Sequence, residues 1–267
     1  MNHNLKEIYT YAMEWTKEAG ENIRASFPKT LNVTSKSNPN DLVTDIDKGT
    51  EQYFIEKIKG KYPDHRIMGE EGYGDEVTGL SGVVWIIDPI DGTMNFVHQQ
   101  RNFAISVGIY VDGEGMIGLI YDVVHDELYH CIKGNGVLLN DKPIPELKES
   151  RVSEAVIALN ALWVAPNKRI DHQMFIPLVQ DVRGTRSYGS AAMEMVYVAT
   201  GRIDAYLSPR LAPWDIAAGI ILIKELGGEA TDLRGNELDL LKENSLFVSK
   251  PGLHSEILKH YLKDGKW

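Results

Sequence analysis

The sequence predicts a mixed α/β protein, and three observations carry that prediction. Two helix-like periodicities occupy the stretch before residue 60. Short apolar runs separated by Gly-containing turns fill residues 66–140. Beyond residue 150, strand-like runs alternate with helical segments of about a dozen residues, the pattern of α/β layering.

In residues 5–27, Ile8, Ala12, Trp15, Ala19 and Ile23 recur at the spacing of one helix face, which Pro28 ends. A second helix is expected over 44–58, with Tyr53, Phe54 and Ile58 turned inward. RIMGEE, VVWIID, FAISVGIYV, GMIGLIYDVV, ELYHCI and VLLN read as strands, and the turns DGEG and KGNG predict antiparallel hairpins. Further on, VIALN reads as a strand, IDHQMFIPLVQ as a helix, DVRGTRS as a strand edge, 190–200 as a helix and IDAYLS as a strand. The apolar helix DIAAGIILIKEL (215–226) precedes another strand at GGEATD. A single domain of two lobes is expected, about 1–145 and about 146–267, with the polar stretch DKPIPELKES as the seam.

Composition narrows the class. The net charge of −10 excludes an overall positive field for nucleic acid, although not a local basic patch. One cysteine, Cys131, rules out an intrachain disulfide framework and fits a reducing compartment. The N-terminal residues lack the apolar core of a signal peptide, and the apolar run 216–223 stops at Lys224, short of the ~20 residues of a membrane span. A cytoplasmic protein without a membrane partner is expected.

The informative residues are acids at the ends of predicted elements. Glu70 and Glu71 end IMGEE, Asp88 and Asp91 follow VVWII, Asp215 begins the apolar helix, and Asp47 lies in DLVTDID. Singly, each has an ordinary explanation: an Asp at a helix start is commonly a cap, and a Glu pair is commonly a solvated loop. Asp88-Pro-Ile-Asp91 asks for more. Proline makes the backbone rigid between the acids, Gly92 permits a tight turn, and Thr93 falls at a helix start where free N–H groups favour an anion. One turn then offers carboxylate, backbone carbonyl, carboxylate and an anion cradle. With a single Cys and no His-x-x-x-His pair, a zinc site is disfavoured, while an all-oxygen set suits a hard cation, above all Mg²⁺. Converging carboxylates without a metal would be driven to protonate. KGNG (133–136) lacks the later glycine of a dinucleotide fingerprint, DIDKG (45–49) lacks the distal Glu of a calcium loop, and there is neither G-x-S-x-G nor a P-loop. His98 and His125 read as surface or packing residues.

These segments resemble the inositol monophosphatase family, the lithium-sensitive, Mg²⁺-dependent phosphatases. GEE (69–71), WIIDPIDGTMNF (85–96) and PWDIAAG (213–219) look like its three metal-binding motifs, DLVTDID like the segment with a further catalytic acid, and GSAA (189–192) with GRIDAYLS like the substrate side. The resemblance implies a layered αβαβα sandwich of the inositol monophosphatase/fructose-1,6-bisphosphatase type, a homodimer, and two or three Mg²⁺ ions. It implies that Glu70, Asp88 and the Ile90 carbonyl hold one ion, that Asp88, Asp91 and Asp215 hold a second, and that Glu70 reaches a third. Thr93, Asp47 and Glu70 would be catalytic. Asp91, Gly92, Thr93, Gly189, Ser190, Ala191 and Asp215 would face the substrate, a small phosphorylated molecule. One departure bears on specificity: Ser208, followed by Pro209 and Arg210, stands where animal inositol phosphatases have a glutamate for ring hydroxyls. A neutral side chain beside a cation suits substrates beyond inositol phosphate, including NADP(H) and fructose bisphosphate. A 3′-phosphoadenosine 5′-phosphate phosphatase of the same superfamily, or a binding module without turnover, are the other readings. The polar segment around 32–40, with Lys36, could close over the metals or be a plain surface loop.

Overall fold

The computed structural model describes residues 4–28, 31–35 and 42–262. In chain order these residues form α1 (Leu5–Ser26), β1 (Val33–Ser35), β2 (Leu42–Thr44), α2 (Asp45–Lys61), β3 (Arg66–Gly69), β4 (Val83–Asp91) and α3 (Thr93–Gln99). The hairpins follow as β5 (Ala104–Val111), β6 (Glu114–Asp122), β7 (Glu127–Ile132), β8 (Val137–Leu139) and β9 (Lys142–Pro143). After these come β10 (Val156–Leu159), α4 (Ala161–Val164), α5 (Phe175–Asp181), β11 (Gly184–Arg186), α6 (Ala191–Ala199) and β12 (Ala205–Leu211). Then come α7 (Pro213–Glu225), β13 (Glu229–Thr231), β14 (Asn244–Ser249) and α8 (Leu253–Ile257), which runs into a π-helical turn over Leu258–Leu262.

Two large sheets organise the molecule. The seven strands β3 to β9 lie side by side in chain order, antiparallel except for the parallel pair β3/β4. The other sheet has the order β11-β10-β12-β14-β13, parallel on its β11-β10-β12 side and antiparallel beyond.

Strand alternation distributes side chains among three apolar layers. Val83, Trp85 and Ile87 of β4 pack with Trp15, Ile23, Phe54 and Ile58 of α1 and α2. Val84 and Ile86 of the same strand face the opposite way, onto α6 and α7, which also receive Tyr206 and Val248 from the second sheet. The outer face of that sheet (Ile157, Leu207, Phe247) packs on α5 and α8 through Phe175, Leu178, Leu253 and Ile257. Helices, sheet, helices, sheet, helices: the layering is αβαβα, as expected.

Local departures have local causes. The helix expected over 44–58 starts at Asp45 because Thr44 is its cap, and it continues to Lys61. IDHQMFIPLVQ is not one helix: a 3₁₀ turn over His172–Met174 leads into α5, with the cap of that turn supplied by Asp171. The helix at 190–200 is α6, with Ser190 outside it as the cap. Of the polar segment around 32–40, residues 33–35 pair with β2, and residues 36–40, including Lys36, lie outside the described residues.

α7 reaches its sheet because two strand glycines let it. A Cβ on Gly108 would lie 2.9 Å from Ala217, and one on Gly118 would lie 2.8 Å from the Ala218 carbonyl. The absence of side chains at these points allows close backbone approach.

Candidate active site

β4 is a central strand between β3 and β5, buried along its whole length, so its two acids are carried into the interior by a continuous apolar run. Its pairing with β5 shifts between Asp88 and Asp91, where Pro89 has no N–H for the ladder. Asp88 Oδ1 accepts the Ile90 N–H at 2.9 Å, closing a turn around the proline. Gly92 then adopts φ 96°, and a Cβ there would stand 3.0 Å from the Ser190 Cβ and 3.1 Å from the Asn102 carbonyl. Glycine is required at Gly92 by conformation and by space. α3 begins directly behind it, at Thr93.

Each remaining acid arrives from a different element. Glu70 follows the end of β3, its N–H bonded to the Ile87 carbonyl at 3.3 Å. Asp215 is in the first turn of α7, where Oδ2 accepts the Ala212 N–H at 2.8 Å. Asp47 is buried in the first turn of α2, in a capping box with Thr44, whose N–H donates to Oδ2 at 2.9 Å. Asp47 therefore uses both of its carboxylate oxygens. Its Oδ2 closes the helix cap, while Oδ1 accepts the hydroxyl of Thr93 at 2.9 Å.

Carboxylate oxygens of Asp88, Asp91 and Asp215 lie within 4.8 Å of one another, and among the described residues they form the one such group able to hold a metal ion. They line an open cavity of about 190 Å³ together with Glu70, Ile90 and Thr93. The electrostatics show what the cluster lacks. Burial, then the charges of Glu70, Asp91 and Asp215, push Asp88 well above the usual carboxylate range. Asp215 is raised likewise by burial and by Asp91. Asp91 is pushed up to about 6 by burial, although the Ser190 hydroxyl and the Ala192 N–H donate to it, the latter at 2.7 Å. Asp47 is raised by burial against the hydrogen bonds of Thr44 and Thr93. Among the described residues no Lys or Arg shares the lining of this cavity, so the group that would relieve the repulsion is a cation of the kind an all-oxygen donor set prefers.

The expected substrate residues divide into two groups. Gly189 and Ser190 sit immediately behind the Gly92 turn, and Ser190 and the Ala191 backbone brace Asp91. Ser208 and Arg210 do not line the cavity. The Ser208 hydroxyl is buried and donates to the Arg210 carbonyl at 3.2 Å. Nε and Nη2 of Arg210 both donate to Glu243, at 2.8 and 2.7 Å, so its charge is matched by a carboxylate. His98 and His125 are exposed, as expected. A larger cavity of about 580 Å³, between the β5–β6 turn and the C-terminal end of α7, contains none of these residues.

Among the described residues three buried acids escaped the sequence reading: Glu51, Glu194 and Asp122, the last accepting the Val124 and His125 N–H groups at 3.1 Å. Glu194 accepts the N–H groups of Tyr188 and Gly189, at 2.7 and 3.3 Å, and burial pushes it up to about 7. It thereby fixes the turn that abuts Gly92. Glu51, one turn along α2 from Asp47, is fully buried and accepts backbone N–H groups of the segment after Glu70. For Glu194 the available signal was its place as the one charged residue in the otherwise apolar α6, whereas Glu51 shares its buried face with Asp47, Thr50, Phe54 and Ile58.

The sequence model of the inositol monophosphatase family matches residues 4–264. The chain belongs to the inositol monophosphatase family. It is 56% identical to the inositol-1-monophosphatase of Bacillus subtilis, over 97% of this chain and 98% of that protein. A Staphylococcus aureus inositol monophosphatase II, solved with inositol monophosphate and with 2′-AMP bound, superposes with TM-scores of 0.87 and 0.88 at 41% and 42% identity, covering 96% of this chain and 93% and 94% of that one. An inositol monophosphatase/NADP phosphatase solved with Mg²⁺ and phosphate gives 0.88 at 28% identity, covering 96% and 95%. With membership of the family and this degree of identity, the protein is a phosphatase, and the binding-module reading falls away.

Proposed function

We propose that this protein is a Mg²⁺-dependent phosphomonoesterase that converts inositol monophosphate to inositol and phosphate and also accepts other small phosphates, including the 2′-phosphate of NADP(H). The observation that carries the reading is the Thr93–Asp47 hydrogen bond on the rim of a cavity walled by three mutually repelling carboxylates.

The donor set fits the ion. Glu70, Asp88 and the Ile90 carbonyl would hold one Mg²⁺, Asp88, Asp91 and Asp215 a second, and Glu70 would contribute to a third. Bound there, the ions would acidify the attacking water and neutralise the alkoxide that leaves. The chain's own groups do the rest. The Thr93 hydroxyl donates its hydrogen bond to Asp47, which leaves its oxygen lone pairs for a water in the cavity. Asp47, held from the other side by Thr44, fixes that orientation and, with Glu70, helps draw off the water proton. Backbone N–H groups of Gly92 and Thr93 would meet the phosphate oxygens as charge develops. The new bond joins water oxygen to phosphorus, the ester P–O bond breaks, and the departing alkoxide takes a proton. No phosphoenzyme is formed.

Wider substrate range is supported by the relatives solved with inositol monophosphate and with 2′-AMP. It rests less on Arg210 than the sequence suggested, since Glu243 matches that cation. We further propose one phosphatase domain of two lobes acting as a homodimer in the cytoplasm. Among the described residues no helix is long and apolar enough to cross a membrane.

The test is phosphate release, with Mg²⁺ and with EDTA, from inositol 1-phosphate, NADP⁺, fructose 1,6-bisphosphate and adenosine 3′,5′-bisphosphate. Mg²⁺-dependent turnover led by inositol phosphate, abolished in a folded Asp88→Asn variant, is expected. An unchanged rate in that variant would sink the metal assignment.

A further inference from the structure

α2 carries a second acid whose placement the reaction as described does not use. Glu51 lies four residues after Asp47 and so on the same helix face. It is a fully buried carboxylate in the first half of a helix, and its oxygens point out of α2 toward the loop that follows β3. Oε2 accepts the Glu71 N–H at 2.7 Å and Oε1 accepts the Tyr73 N–H at 2.8 Å. Those two donors flank Gly72, which has φ 78°. The loop that begins at Glu70 is thus pinned to α2 by one carboxylate with an oxygen on each of two amides.

The sequence makes room for this arrangement. A Cβ on Gly69 would stand 2.4 Å from the Glu51 carboxyl carbon and 2.4 Å from Oε2. Gly69 has no positive φ to explain it, so the space taken by Glu51 is its physical reason.

We propose that Glu51 is a positioning residue for Glu70, and that α2 acts as the gauge of the site. Asp47 sets Thr93, and one turn later Glu51 sets the loop that presents Glu70. This rests on the reading of Glu70 as a metal ligand. Removing a partner that orients a ligand lowers metal affinity, commonly by about 10–100-fold.

The test uses the full-length protein and Mn²⁺, whose binding is read by calorimetry or electron paramagnetic resonance without substrate. Glu51→Gln keeps the shape and replaces one acceptor by a donor facing an N–H. It is expected to weaken Mn²⁺ binding about 10-fold or more, to raise the Mg²⁺ needed for half-maximal rate in step, and to speed amide exchange over residues 70–73. Gly69→Ala is expected to do the same, since the new methyl displaces the carboxylate. The two effects should not add: in the Glu51→Ala background Gly69→Ala has nothing left to displace. The cycle keeps the inference testable where one single variant folds poorly. Wild-type Mn²⁺ affinity in folded Glu51→Gln, or additive losses in the double variant, would overturn the proposal. Wild-type protein that binds no Mn²⁺ would instead overturn the metal-site reading from which it starts.

Discussion

The Thr93 hydroxyl donates to Asp47 Oδ1 at 2.9 Å, joining the first turn of α3 to the first turn of α2 across 46 residues. Because Asp47 also caps α2, the proposed chemistry and the stability of the helix meet in one side chain, and two substitutions separate them. Asp47→Asn should lower kcat by about 10²–10⁴ and cost about 1 kcal/mol of stability through the weakened cap. Thr93→Val should lose the same rate without touching the cap. Steady-state kinetics and thermal melts on both variants check this, and a fully active Thr93→Val protein would refute it.

Metal should stabilise the fold as well as serve the reaction. Three acids held within 4.8 Å repel one another in the interior, and a cation relieves that repulsion only in the folded state. Mg²⁺ at about 100 times its Kd should add about 2.7 kcal/mol over the EDTA-treated protein. Asp215→Asn should shrink the difference. Identical melting temperatures with Mg²⁺ and with EDTA would count against a metal in this cavity.

Two glycines should respond to alanine in opposite directions. At Gly108 the added methyl meets the backbone of α7 at 2.9 Å, and a helix backbone cannot step aside. A loss of about 1–3 kcal/mol is expected, with reduced turnover because α7 carries Asp215. Gly60 lies exposed near the end of α2 with nothing within 4 Å of its would-be Cβ. There alanine should stabilise by up to ~1 kcal/mol. Chemical denaturation measures both.

Acid should act through a buried histidine. His130 is packed against Tyr9, whose hydroxyl meets Nδ1, while Nε2 meets the Asn140 carbonyl at 2.8 Å. Burial holds its pKa below the usual 6.5, with the charge of Lys17 acting the same way and that of Asp141 opposing it. The unfolded chain therefore takes up a proton below pH 6.5 that the native state refuses. The contribution is complete above that pH and is lost as pH falls beneath it, by up to about 1.4 kcal/mol per pH unit until the native pKa is reached. Melts at pH 7 and pH 5 should show a shallower acid loss in His130→Gln than in the parent. Equal slopes would show that His130 is not responsible.

Much of the site was legible because its parts are short and locally constrained. Asp88-Pro-Ile-Asp91-Gly92-Thr93 can be read as strand end, turn and helix start from the proline, the glycine and the apolar run before them, and the structure has each of these. The helix face of α1 and the hairpins of the first sheet obey the same local logic. Other readings turn on bonds that the pattern does not show, one to a partner far along the chain and others to near neighbours. Arg210 reads as a cation for an anionic substrate until Glu243 is placed beside it, and Ser208 reads as a pocket residue until its hydroxyl is seen bonded to its own strand. A helix was expected where Asp171 instead caps a 3₁₀ turn.

By itself the sequence determined the chemistry on offer: hard oxygen donors around a rigid turn, and the α/β periodicities that carry them inward. Those follow from residue type and spacing over a few positions. Tertiary structure alone decided how the donors converge. Asp88, Asp91 and Asp215 come within 4.8 Å because α7 settles on glycines of the first sheet, and Asp47 meets Thr93 because α2 packs across β4. Which acids gathered around the cavity, and which, like Glu51 and Glu194, became braces for backbone amides, depended on distances between segments that no local pattern encodes.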